Sequence, residues 1–296
     1  MRWTSKYTGA ERTTNDFHLA RRVVLGGLML GWSCGAVPTA SVAGPVEDLF
    51  AKTAERSASK VDHSAWDRLL KAYVELGADG LNRVDYARFK QEGRTTLESY
   101  IASLEATEPS RLDRAEQFAF LVNLYNAKTI ALVLERYPVK SIRDIALGGG
   151  LVAVFTGGPW KAKVLRLKGI DLSLDDIEHT ILRALFKDPR VHYAVNCASM
   201  GCPNLSRDAF TGPTLEAQLD AAARTFVNSP RAFRFEDGRL ISSSIYNWFK
   251  ADFGGSDHGV LRHAMQYALP ALAARLSRRT AIDTDDYDWR LNDVQR

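Results

Sequence analysis

The residues able to do chemistry gather in one stretch, Val191-His192-Tyr193-Ala194-Val195-Asn196-Cys197-Ala198-Ser199-Met200-Gly201-Cys202-Pro203. An apolar run that begins at a histidine ends in asparagine and cysteine, and a loop of small residues then delivers a second cysteine and a proline. Short apolar runs bounded by Gly and Pro are expected to be buried strands, and the point where a strand opens into a loop is where reactive side chains are displayed. A thiol is only a few per cent ionised near neutral pH, so a nucleophilic Cys197 needs a base. On a strand, His192 would project to the opposite side, roughly 16 Å along. His179, on a separate predicted helix, is therefore the preferred base and His192 the reserve.

Three other uses of the same residues stay open. Cys197 and Cys202 are an even pair, and Ala198-Ser199-Met200-Gly201 could fold back to close a disulfide in an oxidising compartment. They could instead exchange electrons as a redox pair, although the spacing is not Cys-x-x-Cys. His192, Cys197 and Cys202 could bind zinc, but the spacing matches no common ligand pattern and a fourth ligand is missing. No metal and no cofactor is expected. Gly148-Gly149-Gly150 and Gly157-Gly158-Pro159 lack the lysine-serine pair of a phosphate loop and the strand–GxGxxG–helix context, so they read as punctuation.

Several elements must position this stretch. Arg114 to Tyr137 is the longest helical segment, closed by Pro138, with more apolar residues than one stripe needs; it should be buried on most sides. Inside it Asn123 and Asn126 share a face, and two buried amides must find partners, either loop backbone or a catalytic group. Ser173 caps a helix with Asp176 three residues on, and Asp175, His179 and Arg183 follow one another along one edge of it, beside Glu178. Trp160 to Leu167 alternates as a strand turned by Lys168-Gly169. After Pro203, a helix over Leu215 to Phe226, a hairpin around Glu236-Asp237-Gly238, a helix from Leu261 to Leu276 interrupted by Pro270, and an extended Ile282 to Trp289 complete the chain. Ahead of all this, amphipathic helices are expected around Trp66 to Val74 and Leu97 to Leu104. The class is α+β: a predominantly helical single domain over 44–296, with a small mixed or antiparallel sheet carrying Cys197 at the mouth of a cleft.

Charge excludes little but guides. Of 39 basic and 35 acidic residues, five basic and two acidic lie in 1–43, so the remainder is nearly neutral at 34 against 33. The basic balance belongs to the leader and gives no support for nucleic-acid binding. Residues 1–43 read as an export signal: a polar basic segment ends in Arg21-Arg22, an apolar run follows, and Ser41-Val42-Ala43 fits the small-x-small cleavage rule. The paired arginines resemble a twin-arginine leader. The apolar run is too short and too rich in glycine for a comfortable membrane span. A periplasmic or secreted body with no stable membrane span is expected after cleavage near Ala43.

Phe120-Leu121-Val122-Asn123-Leu124-Tyr125-Asn126-Ala127, Asp176-Ile177-Glu178-His179 with Arg183, Asp188-Pro189-Arg190-Val191-His192 running to Ala198, and Gly201-Cys202-Pro203 with Leu205 occur in the order that resembles the domain-of-unknown-function 547 family. Trp248-Phe249-Lys250-Ala251-Asp252-Phe253 and Tyr287-Asp288-Trp289-Arg290-Leu291-Asn292 also look like it, so the resemblance covers about 110–292. It implies signature positions at Asn123, Tyr125, Asn126, Glu178, His179 and Cys197. It also implies an association with thiol chemistry, because relatives are sometimes fused to glutaredoxin-like modules, and some relatives lack the cysteine matching Cys202. The expected function is a thiol-dependent hydrolase or acyltransferase acting on an amide or thioester of a small-molecule or peptide substrate. Cys197 attacks, His179 is the base, Asn123 or Asn126 fixes the imidazole or supports an oxyanion, and Glu178 stands behind them. Tyr125, Trp160, Lys161 and Trp248 are expected to line the substrate pocket. The rival is a non-catalytic periplasmic binder stapled by a Cys197–Cys202 disulfide.

Overall fold

A 23-residue helix, Arg114–Arg136, forms the spine, and 18 of its residues are buried. Its start is set by Asp113, whose carboxylate accepts the Glu116 N–H at 2.8 Å, and Pro138 stops it from continuing. It is also long and apolar enough to cross a membrane by composition, yet 94% of its most apolar window lies inside the structure, as befits a core helix. The computed structural model describes residues 44–55, 57–145 and 158–294. The export signal read in 1–43 and the Gly148-Gly149-Gly150 loop lie outside those residues.

In chain order the helices are α1 (Pro45–Ala51), α2 (Ser64–Tyr73), α3 (Tyr86–Glu92), α4 (Arg94–Glu105), α5 (the spine), α6 (Asp176–Phe186), α7 (Val191–Ala194), α8 (Leu215–Val227), α9 (Ser244–Trp248), α10 (Asp257–Met265) and α11 (Pro270–Leu276). Strands are short. β1 (Val74–Leu76) and β2 (Asn82–Val84) form one antiparallel hairpin, and β3 (Leu165–Leu167) and β4 (Ile170–Leu172) another. β5 (Phe233–Glu236) pairs antiparallel with β6 (Arg239–Ser243), which pairs in parallel with β7 (Thr284–Asp286), a mixed three-stranded sheet. The fold is α+β and predominantly helical.

Two apolar cores meet beneath the cysteines. The larger surrounds α5; the smaller gathers Phe226, Tyr246, Phe253, Val260 and Leu276 from α8 through α11. α7 is the seam, since Val191, Ala194 and Val195 pack into the first core and Tyr193 into the second.

Two expectations about strands fail here. Val191–Ala194 is a turn of helix, and Cys197 lies on the loop that follows rather than on any sheet. A four-residue apolar run bounded by turns satisfies either periodicity, and its two cores take both flanks of a helical turn. Trp160 lies in a turn rather than a strand; only Leu165–Leu167 is extended, with the turn at Lys168-Gly169 as read.

Candidate functional site

The cysteine loop is held rigid before any chemistry is considered. Asn196 accepts the Ala198 N–H on its side-chain oxygen at 2.8 Å and donates from its amide to the Pro203 carbonyl at 2.7 Å, closing the loop at both ends. Ala198 sits at φ 62°, a left-handed conformation that costs an L-residue about 1–2 kcal/mol. Beneath the loop the partly buried guanidinium of Arg231 donates to the carbonyls of Cys202 and, at 3.2 Å, Met200, and to the Asn204 side chain at 2.9 Å. On the other flank the Met200 and Gly201 N–H groups bond the carbonyls of Arg290 and Asp288, both at 2.8 Å. This pairing needs glycine at 201, because a Cβ there would stand 2.9 Å from the Asp288 nitrogen and the Tyr287 ring.

That close approach delivers Tyr287 to the sulfurs. Its hydroxyl is 3.2 Å from Cys197 Sγ, 3.1 Å from Cys202 Sγ and 2.9 Å from Ser199 Oγ. Ser199 Oγ is itself 3.2 Å from Cys197 Sγ and 3.6 Å from Cys202 Sγ, and the Cys197 N–H donates to Cys202 Sγ at 3.0 Å. Both thiols are free, with no disulfide between them. Burial opposes ionisation of Cys202, but donation from the Cys197 thiol, Tyr287, Ser199 and the Cys197 N–H outweighs it and brings that thiol down to about 6. Cys197 moves the opposite way, raised first by donating its proton to Cys202 and then by burial. One negative charge is therefore shared by the two sulfurs and rests on Cys202, which collects the fixed amide donor.

This corrects the expected source of activation. Among the described residues the hydrogen-bonding side chains on the Cys197 sulfur are Ser199, Tyr287 and Cys202; no imidazole is among them. His179 accepts from Arg183 Nη1 on its Nδ1 at 3.2 Å, since a guanidinium can only donate. Its proton then sits on Nε2, which faces Asp175 Oδ1 at 3.7 Å. The edge Asp175–His179–Arg183 is thus as read from spacing, and it runs along a helix whose i→i+5 bonding marks it as a π-helix, a rare form frequent at functional sites. Ser173 caps its start, its hydroxyl accepting the Asp176 N–H at 3.1 Å.

His192, the reserve base, is the better oriented of the two. Its Nε2 donates to Asp252 Oδ2 at 2.7 Å, leaving the Nδ1 lone pair on the side of Glu178, whose Oε1 is 3.9 Å away. Asp252 is gripped in turn by Arg183 through bonds of 2.6 and 3.1 Å. Burial works against its charge, but His192 and Arg183 prevail and hold it below the ordinary carboxylate range. A ring oriented by a carboxylate hydrogen bond on one nitrogen, with a second carboxylate near but not bonded to the other, has the orientation of a general base. It is also stacked on Phe249 with ring centroids 4.1 Å apart.

One cavity of about 260 Å³ collects most of the expected residues. Cys197, Cys202, His179, His192 and Glu178 line it, as do Tyr125, Trp160, Lys161 and Trp248. Asp175 lines it too, its pKa raised by burial and by Glu178 against the pull of His179. Asn123 and Asn126 are not brought to the cavity. Asn123 bonds the Phe210 backbone in both directions, at 2.8 and 3.0 Å. Asn126 donates to the Ala194 carbonyl at 2.9 Å and accepts the Asn196 N–H at 2.8 Å, so it holds the backbone that leads into Cys197. Neither amide touches an imidazole or a sulfur; they are positioning residues. Sequence reasoning missed Ser199, Arg231, Asp252 and Tyr287. Two of these, Asp252 and Tyr287, lay inside motifs that signalled the resemblance without disclosing a role.

Residues 109–227 match the model of a family described as protein of unknown function, DUF547. No curated protein and no solved structure matches the chain.

Proposed function

Residues 109–227 make the chain a member of the DUF547 family, a membership that brings no activity with it, and from the site itself we propose a thiol-dependent hydrolase or acyltransferase acting on an amide or thioester. The observation that carries this reading is the shared charge on Cys197 and Cys202 at the wall of a cavity that also holds a carboxylate-oriented imidazole. Cys197, the more exposed of the two, attacks the carbonyl carbon as its proton passes to the Cys202 sulfur. The tetrahedral adduct collapses to a thioester on Cys197. The leaving amine takes that proton from Cys202, whereas a leaving thiolate needs none. His192 Nδ1 then removes a proton from the attacking water or acceptor, and the acyl group leaves Cys197, which departs as thiolate. His179 takes no proton from sulfur in this scheme.

An electrophilic acyl probe tests it. Wild type is expected to be acylated once, on Cys197, with a rate that rises through a midpoint near 6. Cys197→Ala is expected to show no labelling, and Cys202→Ser to move the midpoint toward the ordinary thiol value of about 8.5. Labelling of the native protein that appears only after denaturation defeats the proposal.

Thiol–disulfide exchange is favoured by one specific feature, the contact between two free sulfurs. There a substrate disulfide would be opened by one thiolate, and the second would expel the first substrate sulfur as the Cys197–Cys202 bond forms, an external dithiol resetting the pair. Cys202→Ser separates the two: it still acylates at alkaline pH if acyl transfer is right, and it stalls as a mixed disulfide if exchange is right.

A further inference from the structure

Beside the sulfurs the wall of the cavity is made of aromatic rings and carboxylates. Trp248 and Trp289 stack with ring centroids 5.5 Å apart at 30°. Tyr287 lies 4.8 Å from Trp248 and 4.6 Å from Trp289, and Trp160 meets Trp289 edge-on at 5.9 Å. These rings come from three distant parts of the chain, the turn at 158–162, α9 and the segment after β7, and all four line the same cavity. Packing explains little of it: Trp248 is 46% exposed, one of the few large apolar side chains left open among the described residues. An indole held in water against other indoles, at the mouth of a cavity, offers a π face to something that is not protein.

Charge says what kind of thing. Asp175 and Glu178 line the cavity, and the sulfur pair brings a further negative charge near neutral pH, against the one ammonium of Lys161. The cavity therefore repels anions. Aromatic faces carry negative quadrupoles and attract cations, most strongly when carboxylates stand nearby. The protein's own Arg143 already illustrates this by resting 5.1 Å over the Trp289 ring, on a side that does not belong to the cavity lining.

We infer that the cavity formed by Trp160, Trp248, Trp289 and Tyr287 with Asp175 and Glu178 binds a small organic cation, an alkylammonium or quaternary ammonium group. As a statement about what is delivered to Cys197 this rests on the thiol-enzyme reading; as a binding site it stands on the cavity alone. A substrate of the proposed enzyme then carries its ammonium group a short distance from the acyl carbon, with the rings receiving the one while the sulfur reaches the other.

Tryptophan fluorescence and calorimetry on the full chain test it with three probes: choline, butylamine, and 3,3-dimethylbutanol as the neutral isostere of choline. Saturable binding of at least one cation is expected, about tenfold tighter than the neutral isostere. The difference between choline and butylamine decides whether the aromatic faces or the carboxylates dominate. Trp248→Ala, a change at a half-exposed position, and Asp175→Asn are each expected to narrow the ratio of cation to isostere affinity, which a general loosening of the fold would leave in place. Binding is expected to persist in Cys197→Ala, so failure of the thiol chemistry and failure of this site are read separately. Equal or tighter binding of the neutral isostere, or no saturable binding of either cation, overturns the inference.

Discussion

Helix α5 and the loop from Asn196 to Pro203 both bury polar side chains, and they do so to opposite ends. In α5 the nitrogen and the oxygen of each amide both have a backbone partner: Asn123 on Phe210, and Asn126 on Ala194 and Asn196, all between 2.8 and 3.0 Å. At the loop, the sulfurs of Cys197 and Cys202 each lie 3.1 to 3.6 Å from the hydroxyls of Ser199 and Tyr287, themselves 2.9 Å apart, and these groups compete for a handful of protons. A satisfied polar group is a structural bond. A cluster with more acceptor contacts than protons must settle where a charge resides, and that competition is what lets one thiol ionise early.

The largest effect that would sharpen this contrast is expected in α5. Asn126→Ala leaves a buried carbonyl and a buried N–H without partners and is expected to cost about 3 kcal/mol in urea unfolding. A cost below about 1 kcal/mol would make the amide dispensable and the contrast false. Next comes the pH dependence of stability. Cys202 ionises at a lower pH folded than unfolded, so its contribution is fully present above the unfolded value and is lost as pH falls through about 6. Cys197 is shifted upward, so its contribution is present below the unfolded value and is lost as pH rises beyond it. Stability from this pair should therefore climb between about pH 6 and 8.5 by about 2 kcal/mol and then fall, and Cys202→Ser should flatten the climb. Comparing unfolding curves of the two proteins across that interval checks it, and identical slopes would contradict it. Smaller still, Tyr287→Phe removes one hydroxyl donor and should raise the thiol midpoint by about one unit, equivalent to about 1.4 kcal/mol, with little change in fold stability. Gly201→Ala should act in the same direction by pushing residues 287 and 288 off the loop, read by the same thiol titration; an unchanged midpoint in both variants would remove the hydroxyl from the account.

Much of the scaffold was legible because its signals are local. The run from Arg114 to Pro138, the Ser173–Asp176 cap and the hairpin at Asp237-Gly238 each announce themselves within a few residues, and each is where spacing puts it. The stretch from Val191 to Val195 was not, because an apolar run this short carries no decisive period and tertiary packing on both flanks made it helical. The site was half legible for the same reason. Cysteines, histidines and Glu178 are conspicuous residue types, and they do share a cavity. Beside the local donors, the Cys197 thiol and N–H and Ser199, the sulfur pair is served by a hydroxyl 90 residues away in sequence from Cys197, brought there by a glycine-permitted approach of two loops. The partner that orients His192, Asp252, likewise arrives from 60 residues on. No spacing rule reaches that far.

The central claim is that the Cys197 thiol and N–H with the hydroxyls of Tyr287 and Ser199, and no imidazole, hold one negative charge on the cysteine pair. The most direct measurement is the rate of alkylation of the native protein by iodoacetamide as a function of pH, in wild type and in His179→Ala. The account predicts that reactivity rises through a midpoint near 6 in both proteins. A midpoint near the ordinary thiol value of about 8.5 in wild type, or a low midpoint that disappears with His179, would contradict it.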